Sequence, residues 1–120
     1  MKATVKSFDF NRFKRLKIEK VLLQPFGVQL QFEEAHQLEI EDYWEYFDSD
    51  GKLVDRAISA KFREKFHLER LVGHKLVSCE KILFNIVLTF DSQETLHIHY
   101  QKEIEQRDLP IQSMRPPAAL

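Results

Sequence analysis

FHLERLVGHKLVSCEKILFNIVLTFDSQETLHIHY, residues 66–100, is the stretch whose reading decides the fold, because the chain contains a near-copy of it. The copy is FDFNRFKRLKIEKVLLQPFGVQLQFEEAHQLEIED, residues 8–42. Aligned without a gap at an offset of 58 positions, Phe8 meets Phe66, Phe13 meets Leu71, Ile18 meets Leu76 and Phe26 meets Phe84. Leu30 then meets Leu88, Phe32 meets Phe90, Leu38 meets Leu96 and Ile40 meets Ile98. Apolar residues kept on apolar residues at a fixed spacing predict a duplicated supersecondary unit.

Within each unit the pattern is a helix followed by an antiparallel meander. Phe10 and Phe13, flanked by Phe8 and Leu16, predict a short amphipathic helix with Asp9 or Asn11 as its cap. Residues 17–23 predict a strand that ends at Pro25 and Gly27, since proline cannot donate to a ladder and glycine suits a turn. Val28, Leu30 and Phe32 alternate with Gln29 and Gln31, a period of two that marks a strand with one buried face. Residues 33–36 are a loop, and the next strand brings Leu38 and Ile40 inward. The second unit predicts strands over 75–81, 84–90 and 95–100, with the loop at 91–94.

Between the copies, residues 43–56 predict an inserted hairpin. Tyr43-Trp44-Glu45-Tyr46-Phe47 prolongs the preceding strand, Asp48-Ser49-Asp50-Gly51 is a turn, and 52–54 returns. Ile58, Phe62 and Phe66 at a spacing of four predict a helix over 56–72, with Gly73 as its C′ residue. The fold class expected is α+β, with six to eight strands and two or three helices. Residues 1–107 form a single domain with the internal repeat 8–42 and 66–100, and residues 108–120, carrying Pro110, Pro116 and Pro117, form an extended or mobile tail.

Composition narrows function by exclusion. With 43% hydrophobic and 31% charged residues the chain reads as globular, and no apolar run approaches the ~20 residues of a membrane span. Cys79, the single cysteine, sits in a strand pattern as a small core residue. No secretory leader is legible at the N-terminus, so a reduced, cytoplasmic setting is expected. No phosphate loop, nucleophile elbow or CxxC is present, so neither an enzyme nor a cofactor is expected.

Charge is segregated. Residues 1–20 hold seven bases against two acids, whereas residues 33–50 hold eight acids and no Lys or Arg. Such asymmetry marks either a charged partner surface or two solvated faces complementing each other. The acidic segment also carries aromatics, and carboxylates around Tyr or Trp suit a basic protein partner. The candidate contact residues are Glu39, Glu41, Tyr43, Glu45, Tyr46 and Asp48. The plainer reading is core plus solvated strand face. Nucleic acid is disfavoured, because no stacking platform or helix-turn-helix pattern accompanies the basic residues.

His97, His99 and Glu103 form a second constellation. The two histidines project from one strand face, about 7 Å apart, and HxHxxxE resembles the first metal motif of cupins, which implies a transition-metal site and, as the alternative function, a small metal-binding protein or metal-dependent enzyme. Asp91 and Pro110 stand where that family carries glycines, and the duplicate places Glu39 and Glu41 at the histidine positions, so two exposed histidines are the simpler account. Asp48 to Gly51 begins like a calcium loop but lacks the later ligands. A third possibility is a structural homodimer built on a self-complementary sheet edge.

The order from Trp44 to Ile98 is an aromatic strand, a Gly51-Lys52-Leu53 hairpin, a helix, Leu71-Val72-Gly73-His74-Lys75-Leu76, then two short strands. This resembles small uncharacterised bacterial single-domain proteins, some of them similar to immunity proteins. The resemblance implies a non-catalytic binder whose acidic surface blocks a basic toxin site.

Overall fold

The structure, a computed structural model, describes residues 1–25, 27–57 and 67–100. Most of the helix expected over 56–72, together with Phe26, Glu103 and the tail 108–120, lies outside the described residues. The fold is strand-rich. Among the described residues there are nine strands, one four-residue α-helix and two 3₁₀ turns; the strands exceed the six to eight expected, and of the two or three helices expected only the short one at Phe10–Phe13 is described in full. No helix among them is long and apolar enough to cross a membrane.

The strands are β1 Lys2–Thr4, β2 Ile18–Gln24, β3 Gly27–Phe32, β4 Gln37–Ile40, β5 Tyr43–Phe47, β6 Leu53–Arg56, β7 Leu76–Ile82, β8 Asn85–Phe90 and β9 Thr95–His99. They form a four-stranded sheet in the order β1-β4-β3-β2 and a five-stranded sheet in the order β6-β5-β9-β8-β7. Two expectations need correcting here. Tyr43–Phe47 does not prolong β4: the link 41–42 carries the chain into the other sheet, where β5 pairs antiparallel with β9. A strand also precedes everything the periodicity marked, because β1 lies parallel on β4 and buries Ala3.

The two units are not whole copies of a helix and meander. The first is headed by an α-helical turn and the second by a 3₁₀ turn, and the matching edges are covered differently, by parallel β1 and by antiparallel β5. What recurs is the register. Val21 opposite Leu30 is matched by Cys79 opposite Leu88, and Leu30 opposite Leu38 by Leu88 opposite Leu96. Even the irregularity after Ile18 has its counterpart after Leu76.

The short elements heading each unit have identifiable causes. Asp9, in extended backbone, accepts a hydrogen bond from the Asn11 amide and starts α1 Phe10–Phe13. The helix stops because Arg15 enters the left-handed region (φ 68) and its N–H donates to the Leu76 carbonyl at 2.7 Å. Gly73 (φ 91) makes the corresponding turn after the 3₁₀ segment His67–Leu71 and donates to the Ile18 carbonyl at 2.8 Å. These reciprocal bonds, with the antiparallel bridge between Lys17 and Lys75, tie the two sheets together along one seam. The two-residue link 41–42 ties them along another.

Between the sheets lies one apolar interior. It draws Phe32, Leu38 and Ile40 from the first, Trp44, Leu88, Phe90, Leu96 and Ile98 from the second, and Leu68 and Leu71 from the 3₁₀ turn. Phe13 packs edge-on to Phe32 with ring centroids 5.2 Å apart. Burying each large apolar side chain stabilises the fold by roughly 1.5–3 kcal/mol. Helix α1 packs against β7 and the 3₁₀ turn against β2, so each unit is capped by the other's leading element. Gly27 is demanded by proximity: a Cβ there would stand 2.1 Å from the Ile40 carbonyl oxygen.

Candidate functional site

The acidic segment does not lie on one strand face; the change of sheet at 41–42 divides it. Glu39 faces outward from β4, accepts from the Gln29 amide at 2.9 Å and pairs with Lys2 at 3.4 Å. Glu41 is exposed and Asp42 half-buried. With Glu39, Thr4, Val5 and Lys6 they line an open cleft of about 220 Å³.

Beyond the link, Tyr43 and Glu45 face outward from β5 while Trp44 and Tyr46 face the interior. Tyr46 is therefore corrected from surface to core. It is wholly buried, lies between Asp55 and Leu96 across its two neighbouring strands, and its hydroxyl donates to Glu94 Oε2. The other Glu94 oxygen accepts from the Ser92 hydroxyl at 2.8 Å. Burial, and next the hydrogen bond to Glu94, push the Tyr46 phenol well above its ordinary range. Asp48 serves its own turn: Oδ1 accepts from the amides of Asp50 and Lys52 at 2.9 and 3.0 Å.

The outward face of the five-stranded sheet gathers residues from both constellations. Register places Tyr43 opposite His99 and Glu45 opposite His97. The Tyr43 and His99 rings lie 5.5 Å apart and those of Phe47 and His97 4.6 Å apart. Glu45 sits among them: its Oε2 accepts from the Tyr43 hydroxyl at 3.3 Å, and its Oε1 lies 3.3 Å from His99 Nε2. Burial pushes the His97 imidazolium below the ordinary histidine range; Glu45 opposes that shift and His99 adds to it.

A metal reading gains no geometry. Glu103 lies outside the described residues, and among the described residues no group of three or more His, Cys, Asp or Glu is arranged to hold an ion. Cys79 is half-buried, and burial raises its thiol pKa, which suits the packing role expected of it.

Sequence reasoning missed two carboxylates. Asp55 is 1% exposed and its Oδ2 accepts from the His67 amide at 2.6 Å, capping the 3₁₀ turn from β6. Glu94 was read as loop, and its tie to Tyr46 spans 48 positions of chain. Neither has a local signal, since both depend on which strands become neighbours. Comparison with family models, with curated proteins and with solved structures found no match. The functional reading therefore rests on the residues of this chain.

Proposed function

We propose that this chain is a non-enzymatic protein-binding module, of the immunity or inhibitor type, that blocks a basic partner with an acidic and aromatic surface. The contact residues on this reading are Glu41, Tyr43 and Glu45; Glu39, which faces outward from the other sheet, is withdrawn from the set together with Tyr46 and Asp48. The observation that carries it is the outward placement of Tyr43 and Glu45 on β5 directly after exposed Glu41. That puts an aromatic side chain between the carboxylates of Glu41 and Glu45, the composition that steers and anchors basic partners. Tyr43 is held by its hydrogen bond to Glu45, so part of the ordering cost is met before binding.

We further infer that the two meanders descend from one unit. Their common register supports this: interior residues stayed apolar while the outward face of the second sheet acquired a different chemistry.

Affinity capture with the wild-type chain and with the Glu41→Lys, Glu45→Lys double variant, in low and high salt, tests the function. Basic proteins retained by the wild type should be lost from the variant and weakened by salt. Capture unchanged by the charge reversal would remove the reading.

A further inference from the structure

The rings on the outward face of the five-stranded sheet are grouped around a carboxylate, and that grouping specifies more than a generic acidic surface. Building on the partner-binding reading above, we propose that this face receives an arginine side chain of the basic partner, with its guanidinium laid against Tyr43, Phe47, His97 and His99 and bonded to Glu45.

Three observations carry this. First, the four half-buried rings come from adjacent strands and contact each other in tilted pairs, Tyr43 with His99 and Phe47 with His97, on either side of Glu45. A planar cation stacks on such rings, whereas an ammonium gains only point attraction. Second, Glu45 is reachable and has spare capacity. Its side chain is 25% exposed, and its contacts to Tyr43 and His99 are both long, at 3.3 Å. A carboxylate offers about four acceptor positions, which leaves two for a forked donor. Third, this face is a sheet surface rather than an acidic cluster alone, with Val87 and Thr89 of β8 continuing it beside His97 and Thr95.

The surrounding charges set how the site responds to pH. Tyr43 and Glu45 face it from β5, His99 from β9, and Arg56 stands opposite Glu45 on β6. Beyond β8, which contributes Asn85, Val87 and Thr89, Glu80 of β7 stands opposite Val87. A proton on His97 puts a second cation beside the bound guanidinium. Binding therefore favours the neutral imidazole, already the preferred form in this half-buried position. Each pKa unit by which the ligand displaces His97 weakens affinity about tenfold once the ring is protonated.

The test is an NMR titration of the full chain with a blocked hexa-arginine peptide, and with hexalysine beside it, at about pH 7.5 and about pH 5. Hexa-arginine should move the ring resonances of Tyr43, Phe47, His97 and His99, bind at least several-fold tighter than hexalysine, and weaken at the lower pH. Glu45→Gln should weaken it at both pH values, and His97→Gln should bring the ratio between the two pH values towards one, with the spectra themselves reporting that each variant is folded. Equal affinity for hexalysine overturns the arginine assignment. Shifts confined to the amides around Glu41, with the imidazoles unmoved, overturn this site and leave the acidic-surface reading standing. No shift anywhere overturns both.

Discussion

In the four-stranded sheet the outward positions of β3 and β4 are Gln29, Gln31, Gln37 and Glu39, and three of these side chains bond in a row: Gln31 to Gln29 at 2.7 Å and Gln29 to Glu39 at 2.9 Å. In the five-stranded sheet the matching positions of β8 and β9 are Val87, Thr89, Thr95 and His97, flanked by the aromatic strand β5 instead of the basic strand β1. The inward positions of the two sheets are interchangeable by comparison: Leu30 with Leu88, Phe32 with Phe90, Leu38 with Leu96. A shared interior constrains volume and polarity at every inward position, whereas an outward position answers only to its cross-strand neighbours and to whatever docks on it. The first face satisfies its own polar groups; the second leaves rings and a carboxylate available.

The largest test of that comparison is at its equivalent centre. Phe32→Ala and Phe90→Ala should each cost about 3–5 kcal/mol in denaturant unfolding, in one transition, since both rings are buried in a single core. Separate transitions, or one substitution costing under half of the other, would mean the sheets do not share an interior.

Next comes the pair Gly27 and Asn85, which begin the matching strands β3 and β8. Gly27→Ala should cost about 1–3 kcal/mol, because the new methyl group meets the Ile40 carbonyl and backbone must move. Asn85→Ala should cost less than about 1 kcal/mol, because it shortens a half-buried side chain and forces no backbone to move. Equal costs would show that the approach of β3 to β4 is no tighter than that of β8 to β9.

A smaller contrast concerns the two left-handed residues that end the leading turns. Gly73→Ala should cost about 1 kcal/mol, because a Cβ is unfavourable at φ 91. Arg15→Gly, at φ 68, should change stability by less than about 0.5 kcal/mol, since relief of strain and the entropy of the freer unfolded chain oppose each other. Thermal unfolding of both variants decides it.

The smallest effect is the pH response of the second face alone. His97 binds its proton less readily in the folded than in the unfolded chain. Its contribution is therefore neutral above the ordinary value of 6.5, and stability falls as pH drops below it towards the depressed folded value. His97→Gln should flatten the slope of stability against pH in that window, while Glu39→Gln, at the matching position of the other sheet, should leave it unchanged.

Much of this was legible in the chain itself. Alternation at Val28, Leu30 and Phe32, and again at Ile86, Leu88 and Phe90, located strands and their buried faces, because a period of two puts every second side chain on one side. The same alternation already separates Tyr43 and Glu45 from Trp44 and Tyr46, and the buried ring of Tyr46 follows it. The candidate site was legible only in halves. Glu45 and His99 were each singled out, for different reasons, and nothing within 54 positions of intervening chain indicates that they meet.

The linear order of residues determined the strands other than β1, their inward faces, the turn at Asp48 and the common spacing of the two meanders, all of which follow from periodicity and local backbone preference. Tertiary structure alone decided that β5 leaves β4 to pair with β9, that β1 closes the first sheet, that Asp55 is buried against the 3₁₀ turn, and that Glu94 meets Tyr46. Those outcomes depend on which strand edges find one another. Backbone hydrogen bonding is nearly blind to side-chain identity, so the choice is made by how the whole apolar surface can be enclosed.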